Sequence, residues 1–220
     1  MKANQRPIAY LANPSSQRKT MKILVIGANG TIGKAVVAEL AARHEIITAG
    51  RSSGEYRVDL KDAASITALF KEVGKVDAVI SAAGNVHFAP LAEFSADHYA
   101  IGINDKLMGQ VNLALAAQGA LNDGGSITLT SGILSSDPIR FGSSASMVNA
   151  AIDGFVRAAA IELPRGLRIN SISPTVLQEA LESYGPYFRG FDAVPAAKVA
   201  LAYSKSVEGA QTGQVYTVNN

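Results

Sequence analysis

Three glycines at three-residue spacing, Gly27, Gly30 and Gly33, mark the first place where this chain could do chemistry. They follow the apolar run Ile23 to Ile26 and precede Ile32, Val36, Val37 and Leu40, which recur at helical spacing. A strand that turns through glycine into a helix brings backbone close to a phosphate, and the helix start, with Asn29, Thr31 and Ile32, offers free N–H groups to the anion. The next apolar stretch, EIITAG (45–50), ends in Arg51 and Ser52 where an acid would be expected to hold a ribose 2′-hydroxyl. An arginine there suits a 2′-phosphate, so the pattern favours NADP(H) over NAD(H).

Positioning such a site requires strands that end together, and the rest of the chain supplies them. YRVDL (56–60) reads as a third strand, although Arg51 to Glu55 is a short link for a parallel crossover, which usually takes about a dozen residues. Asp62 is a plausible cap for a helix with Ile66, Leu69, Phe70 and Val73 on one face. VDAVI (76–80) reads as a buried strand that ends in the small-residue turn SAAG (81–84). From Ser95 a long helix is expected to run to about Ala120, followed by a strand within 124–132 and an Ala-rich helix within 141–163 that Pro164 and Gly166 stop. LRINSIS (167–173), a helix near 195–207 and QVYTV (214–218) complete the pattern. Strands alternating with helices imply an α/β fold: a doubly wound, mostly parallel seven-stranded sheet between two helical layers.

At 220 residues, with 48% hydrophobic and 17% charged residues, the chain suits one domain over 21–220. The net charge of +2 comes from the leader 1–20, which holds Lys2, Arg6, Arg18 and Lys19 and no acid. Without those four, the 20 Lys and Arg fall to 16 against 18 acids, a net −2. That balance gives no electrostatic footprint for nucleic acid. The leader reads as an extension, a tag or an arm, with a weak transit peptide as the remaining alternative, and its composition lacks a secretory apolar core. No apolar run reaches the roughly 18 residues that span a bilayer. The absence of cysteine excludes disulfides and fits a reducing, cytoplasmic setting. The three histidines show no metal-ligand spacing, so no metal is expected.

Taken in order, the glycine turn, Asp59 in VDL, SAAG, RINSISP and TGQVYTV resemble the short-chain dehydrogenase/reductase family across residues 21–220. The resemblance implies a Rossmann-type fold, a nicotinamide cofactor, and pairing of the two long helices in a homodimer or homotetramer. It places Asp59 and Leu60 near the adenine, Ala82, Ala83 and Gly84 beside the dinucleotide, and Pro174 and Val176 on the nicotinamide side. In the family a Ser orients the substrate carbonyl, a Tyr is the acid/base, a Lys four residues later binds the nicotinamide ribose, and an Asn on the preceding long helix supports a water relay. Ser131 fits the Ser, with Gly132 one register away, and Asn104 fits the Asn.

The family's Tyr-Ser-Ala-Ser-Lys string matches SSASM, which puts Ser143 at the Tyr position and Met147 at the Lys position. Neither can do the work. A positioned general acid contributes about 10²–10⁴-fold, and a thioether offers no charge and no donor. Thr175 also stands where the family has glycine. These departures are similar to those of an atypical subgroup of the family whose function is undetermined. His87, just beyond the fourth strand, is a candidate replacement acid; His98 and Tyr99 read as surface and packing residues. Tyr184 and Tyr187 read as an aromatic wall within reach of a substrate carbonyl. The expected activity is NADP(H)-dependent exchange of hydride with a small carbonyl or alcohol. The alternative is a catalytically silent NADP(H)-binding sensor or scaffold.

Overall fold

The structure, a computed structural model, describes residues 20–219. The expected extension therefore lies outside the described residues, apart from Thr20. One sheet of seven strands runs in the order β3-β2-β1-β4-β5-β6-β7, and every pairing is parallel. The strands are β1 (Lys22–Ile26), β2 (Glu45–Gly50), β3 (Tyr56–Arg57), β4 (Val76–Ser81), β5 (Leu121–Thr130), β6 (Arg168–Pro174) and β7 (Val215–Val218). Parallel strands covered on both faces favour near-continuous apolar runs, and β1 is buried from Ile23 to Ile26.

Two apolar clusters divide the molecule into three layers. On one face of the sheet, α1 (Thr31–Leu40) and α7 (Ala196–Glu208) bury Val36, Leu40, Val199 and Tyr203 against Ile23, Val25 and Ile80. On the other, α2 (Ala63–Val73), α4 (Met108–Ala120) and α5 (Ser143–Glu162) bury Ile66, Leu69, Leu113, Val148 and Ile152 against Leu24, Val79 and Ile127. The cap on α2 is Asp62, whose carboxylate accepts from the Ala64 amide at 2.8 Å.

Three elements differ from the sequence expectation. The third strand has only two residues, and the 51–55 link suffices because β3 is an edge that pairs solely at Ala49–Tyr56 and Gly50–Arg57. Glu55 closes that tight return, since its carboxylate accepts from the Thr48 amide and hydroxyl while its own amide donates to the Thr48 carbonyl. The sheet is wholly parallel rather than mostly so. The long helix from Ser95 is broken into α3 (Ala96–Gly102), a π-helical turn (Ile103–Leu107) and α4. A π turn inserts a residue into the helical ladder and rotates the turns beyond it, a device common at functional sites.

Gln110 fixes that rotated segment to the sheet. Its amide donates to the Thr130 and Lys106 carbonyls at 2.9 and 3.2 Å and accepts from the Thr130 amide at 2.8 Å. The fully buried glutamine thus satisfies the backbone of β5 where its ladder ends and sets the helix against it. This contact holds the end of β5 and the π turn together at one edge of the sheet. A short covering segment, including α6 (Leu181–Tyr184), closes over the same edge.

Candidate functional site

At the carboxyl ends of β1 and β4, where the strand order reverses, three cavities adjoin. The first, of about 180 Å³, is lined by Gly27, Asn29, Gly30, Arg51, Asp59 and Leu60. The second is a cleft of about 330 Å³ that shares Ala83 and Gly84 with the first. The third, of about 250 Å³, is aromatic, and shares Phe88 and Tyr184 with the cleft. One groove therefore runs from the glycine turn past the sheet edge to an apolar pocket, at the position where doubly wound sheets bind ligands.

The first cavity fits a dinucleotide phosphate. Gly27 has φ +81°, and a β-carbon there would lie 2.7 Å from the Ala82 carbonyl oxygen, so the turn must be glycine. The helix α1 starts after Gly30 with no side-chain cap and no acid in its first turn. The amides around Thr31, Ile32 and Gly33 are therefore left to an anion. Arg51 is exposed at the mouth and has no partner among the described residues. Ser53, rather than Ser52, lines the cavity beside it. The Asp59 carboxylate accepts from the Lys61 amide at 3.0 Å.

In the cleft, Ile32 and Ala82 from one side meet Pro174, Thr175 and Val176 from the other. Ser131 is buried there, and its hydroxyl turns back to the Ile172 carbonyl at 3.4 Å. Gly132 lies next to it. The cation of the cleft is Lys106, which sequence reasoning misses. Its ammonium donates to the Ser131 carbonyl at 2.9 Å and to the Asn149 side-chain oxygen at 2.7 Å. Burial pushes its pKa down from 10.5 to about 8, against the opposing pull of the Asp153 charge. Asp153, one turn beyond Asn149 on α5, is itself buried and accepts from the Ser171 hydroxyl at 2.8 Å. Gly84 makes room for the lysine stem, because a β-carbon there would lie 2.7 Å from Lys106 Cγ.

Most of the other expected catalytic residues lie outside the cleft. Asn104 is exposed on the π turn, and the side chain that reaches Ser131 from this segment is Lys106, two residues on. The pairing of SSASM with the family string is corrected in the same sense. Ser143 is the first residue of α5 and hydrogen-bonds Tyr99 at 3.0 Å, while Met147 is 41% exposed, and neither lines the cleft. The α5 residues that do line it, at the same four-residue spacing, are Ala145 and Asn149. His87 also lies off the cleft: it stacks on His98 with centroids 4.4 Å apart and meets Phe94 edge-on. Tyr184 lines both the cleft and the aromatic pocket, and Tyr187 the pocket alone. Lys106 escapes a reading of the sequence because a lysine within a helix reads first as a solvated charge.

A sheet of this order with a glycine turn at its switch point is the Rossmann-type, doubly wound arrangement, which binds dinucleotides at that point. The family model described as "Enoyl-(Acyl carrier protein) reductase" matches residues 3–217, and the chain belongs to the short-chain dehydrogenase/reductase family. It is 52% identical to a protein of Listeria innocua of known crystal structure, with a TM-score of 0.89 over 90% of this chain and 100% of that one. A small-chain dehydrogenase crystallised with NADPH is 26% identical, with a TM-score of 0.82 over 91% of this chain and 97% of that one. An uncharacterised oxidoreductase of Mycobacterium tuberculosis is 28% identical over 83% of this chain and 76% of its own length. A hydroxynaphthalene reductase of Aspergillus fumigatus is 28% identical over 69% of this chain and 64% of its own length. Among the described residues no helix is long and apolar enough to cross a membrane, and no cluster of His, Asp or Glu could hold a metal ion.

The lysine makes a prediction about stability. Between about pH 8 and 10.5 the folded chain holds fewer protons on Lys106 than the unfolded chain, so stability from this group rises across that window. Urea midpoints of wild type and Lys106→Met, compared from pH 7.5 to about 10.5, should shift in favour of wild type as pH rises. A constant difference would place the ammonium in water.

Proposed function

We propose that the chain is an NADP(H)-dependent oxidoreductase that exchanges hydride with a small carbonyl or alcohol carried on a flat apolar body. The observation that carries this reading is the continuous groove from Arg51 and the glycine turn, through the cleft, to the aromatic pocket. When bound, the cofactor supplies the hydride equivalent; the protein supplies a phosphate cradle at α1, a guanidinium for the 2′-phosphate, and walls around the reacting centre. Phe88, Phe141, Tyr184 and Tyr187 line the pocket beside the cleft and suit a planar substrate. Phe141 holds φ +68°, an uncommon conformation for a bulky residue at a pocket wall. The NADPH complex of one structural relative and the name hydroxynaphthalene reductase borne by another relative support the two halves of this reading.

A second reading, a silent NADP(H) sensor or scaffold, draws on Ala145, which leaves no phenol where the family's acid would stand. We also propose a cytoplasmic setting and pairing of two or more copies through the outer faces of α4 and α5. Leu115 is 56% and Ile161 86% exposed there, beside an apolar groove of about 340 Å³. Sedimentation at roughly micromolar concentration should give a dimer or tetramer, and a monomer would exclude the pairing.

Titration with NADPH and NADH, read by nicotinamide fluorescence and thermal stability, tests the main reading. NADPH should bind preferentially. Arg51→Ala should weaken NADPH by about tenfold, the worth of one charge-assisted hydrogen bond, and leave NADH unchanged. Absence of binding to either would exclude both readings.

A further inference from the structure

The family's two flanking polar groups stand exchanged between helices in this chain. Where the family carries Asn before α4 and Lys on α5, the cleft here has Lys106 before α4 and Asn149 on α5, in contact at 2.7 Å. The amide orientation is fixed, because an ammonium can only donate and the side-chain oxygen of Asn149 must face it. Four residues before Asn149, at the family's Tyr-to-Lys spacing, the cleft wall carries Ala145, a side chain without a proton to give.

From this exchange, and resting on the reading that the cleft reduces or forms a carbonyl, we propose that Lys106 Nζ is the catalytic acid/base of the reaction. Three observations support it. First, among the residues that line the cleft only Lys106 and Tyr184 can exchange a proton near neutral pH or above, and Tyr184, 43% exposed, belongs to the covering segment and opens toward the aromatic pocket. Second, two of the three ammonium hydrogens are held by the Ser131 carbonyl and Asn149, while the third has no acceptor among the described residues. Third, a lysine desolvated to a pKa of about 8 is a far better proton donor at neutral pH than an ordinary one.

The charged neighbours are few. Asp153 on α5 works to keep the proton on the amine, and Asp105, next to Lys106 on the π turn, is engaged with the Asn85 amide and side chain at 3.3 and 3.1 Å. Ser131 and Thr175, from the ends of β5 and β6, are neutral. The step balances simply. As the carbonyl carbon gains hydride from the cofactor, the carbonyl π bond breaks and its oxygen takes a proton from Lys106 Nζ. One N–H bond is lost, one O–H bond is formed, and the neutral amine regains a proton from water at the cleft mouth. In the oxidative direction the neutral amine accepts the alcohol proton.

The test reads the proton itself. Isotope-labelled lysine side chains are titrated by NMR, Lys106 being assigned by its loss in Lys106→Arg, and cofactor affinities are measured across the same pH range. Lys106 should titrate near 8, against about 10.4 for a free lysine, and fall further when NADP⁺ is added, because the cationic ring lies beside it. By linkage, NADP⁺ affinity of wild type should rise at least about threefold from roughly pH 7 to 9, while NADPH affinity changes little and Lys106→Met shows no such rise. NADPH binding with Lys106 titrating as a free lysine, indifferent to NADP⁺, would overturn this assignment and leave the cofactor reading standing. Failure of wild type to bind NADPH would remove the reading on which the assignment rests.

Discussion

A half-buried ammonium held between two carbonyl-type oxygens is the constraint around which the site is built. Lys106 cannot keep its charge in the cleft without acceptors, because desolvation alone disfavours the charged form. The Ser131 carbonyl and Asn149 supply them at 2.9 and 2.7 Å, and Asp153 supplies a compensating charge one turn away. Two donors are satisfied and the third has no acceptor among the described residues, which is the arrangement our proposal requires of a group that both stays in place and gives up a proton.

The scaffold enforces this arrangement from three directions. The π turn carries Lys106 inward, and Gln110 ties that turn to the end of β5 through the Thr130 backbone. Gly84 leaves space for the lysine stem, and the same glycine lines the nucleotide cavity, so the phosphate end and the reacting end share a wall. Burial of Asn149, at 3% exposure, keeps its amide from finding other partners in water. A chain that retained the family's sheet and glycine turn could in this way exchange its polar groups between two helices with no change in strand order.

Much of this was legible in the sequence. The glycine turn between an apolar strand and an amphipathic helix was readable, and the structure opens a cavity beside it with Arg51 at its mouth. The Asp62 cap and the doubly wound seven-stranded sheet followed from periodicity and from the family resemblance, while the place of the third strand did not. The centre of the site was not legible, for a specific reason. Matching SSASM by its small residues put the active-site string two residues too early on α5, and two residues in a helix is a turn of about 200°, enough to face the opposite side. Met147 accordingly points toward solvent while Ala145 and Asn149 face the cleft. The π turn produced the parallel displacement from Asn104 to Lys106, because an inserted residue leaves no mark in an apolar pattern.

The central claim is that Lys106, and no α5 residue that lines the cleft, carries the positive charge beside Ser131. The crystal structure of the protein with NADPH bound tests it most directly. The account predicts that Lys106 Nζ keeps its bonds to the Ser131 carbonyl and Asn149 and sits within about 3 Å of an acceptor on the nicotinamide half or on a ligand beside it. A complex in which Lys106 has swung out to solvent, with the nicotinamide half lodged away from Ser131 and Asn149, would contradict it.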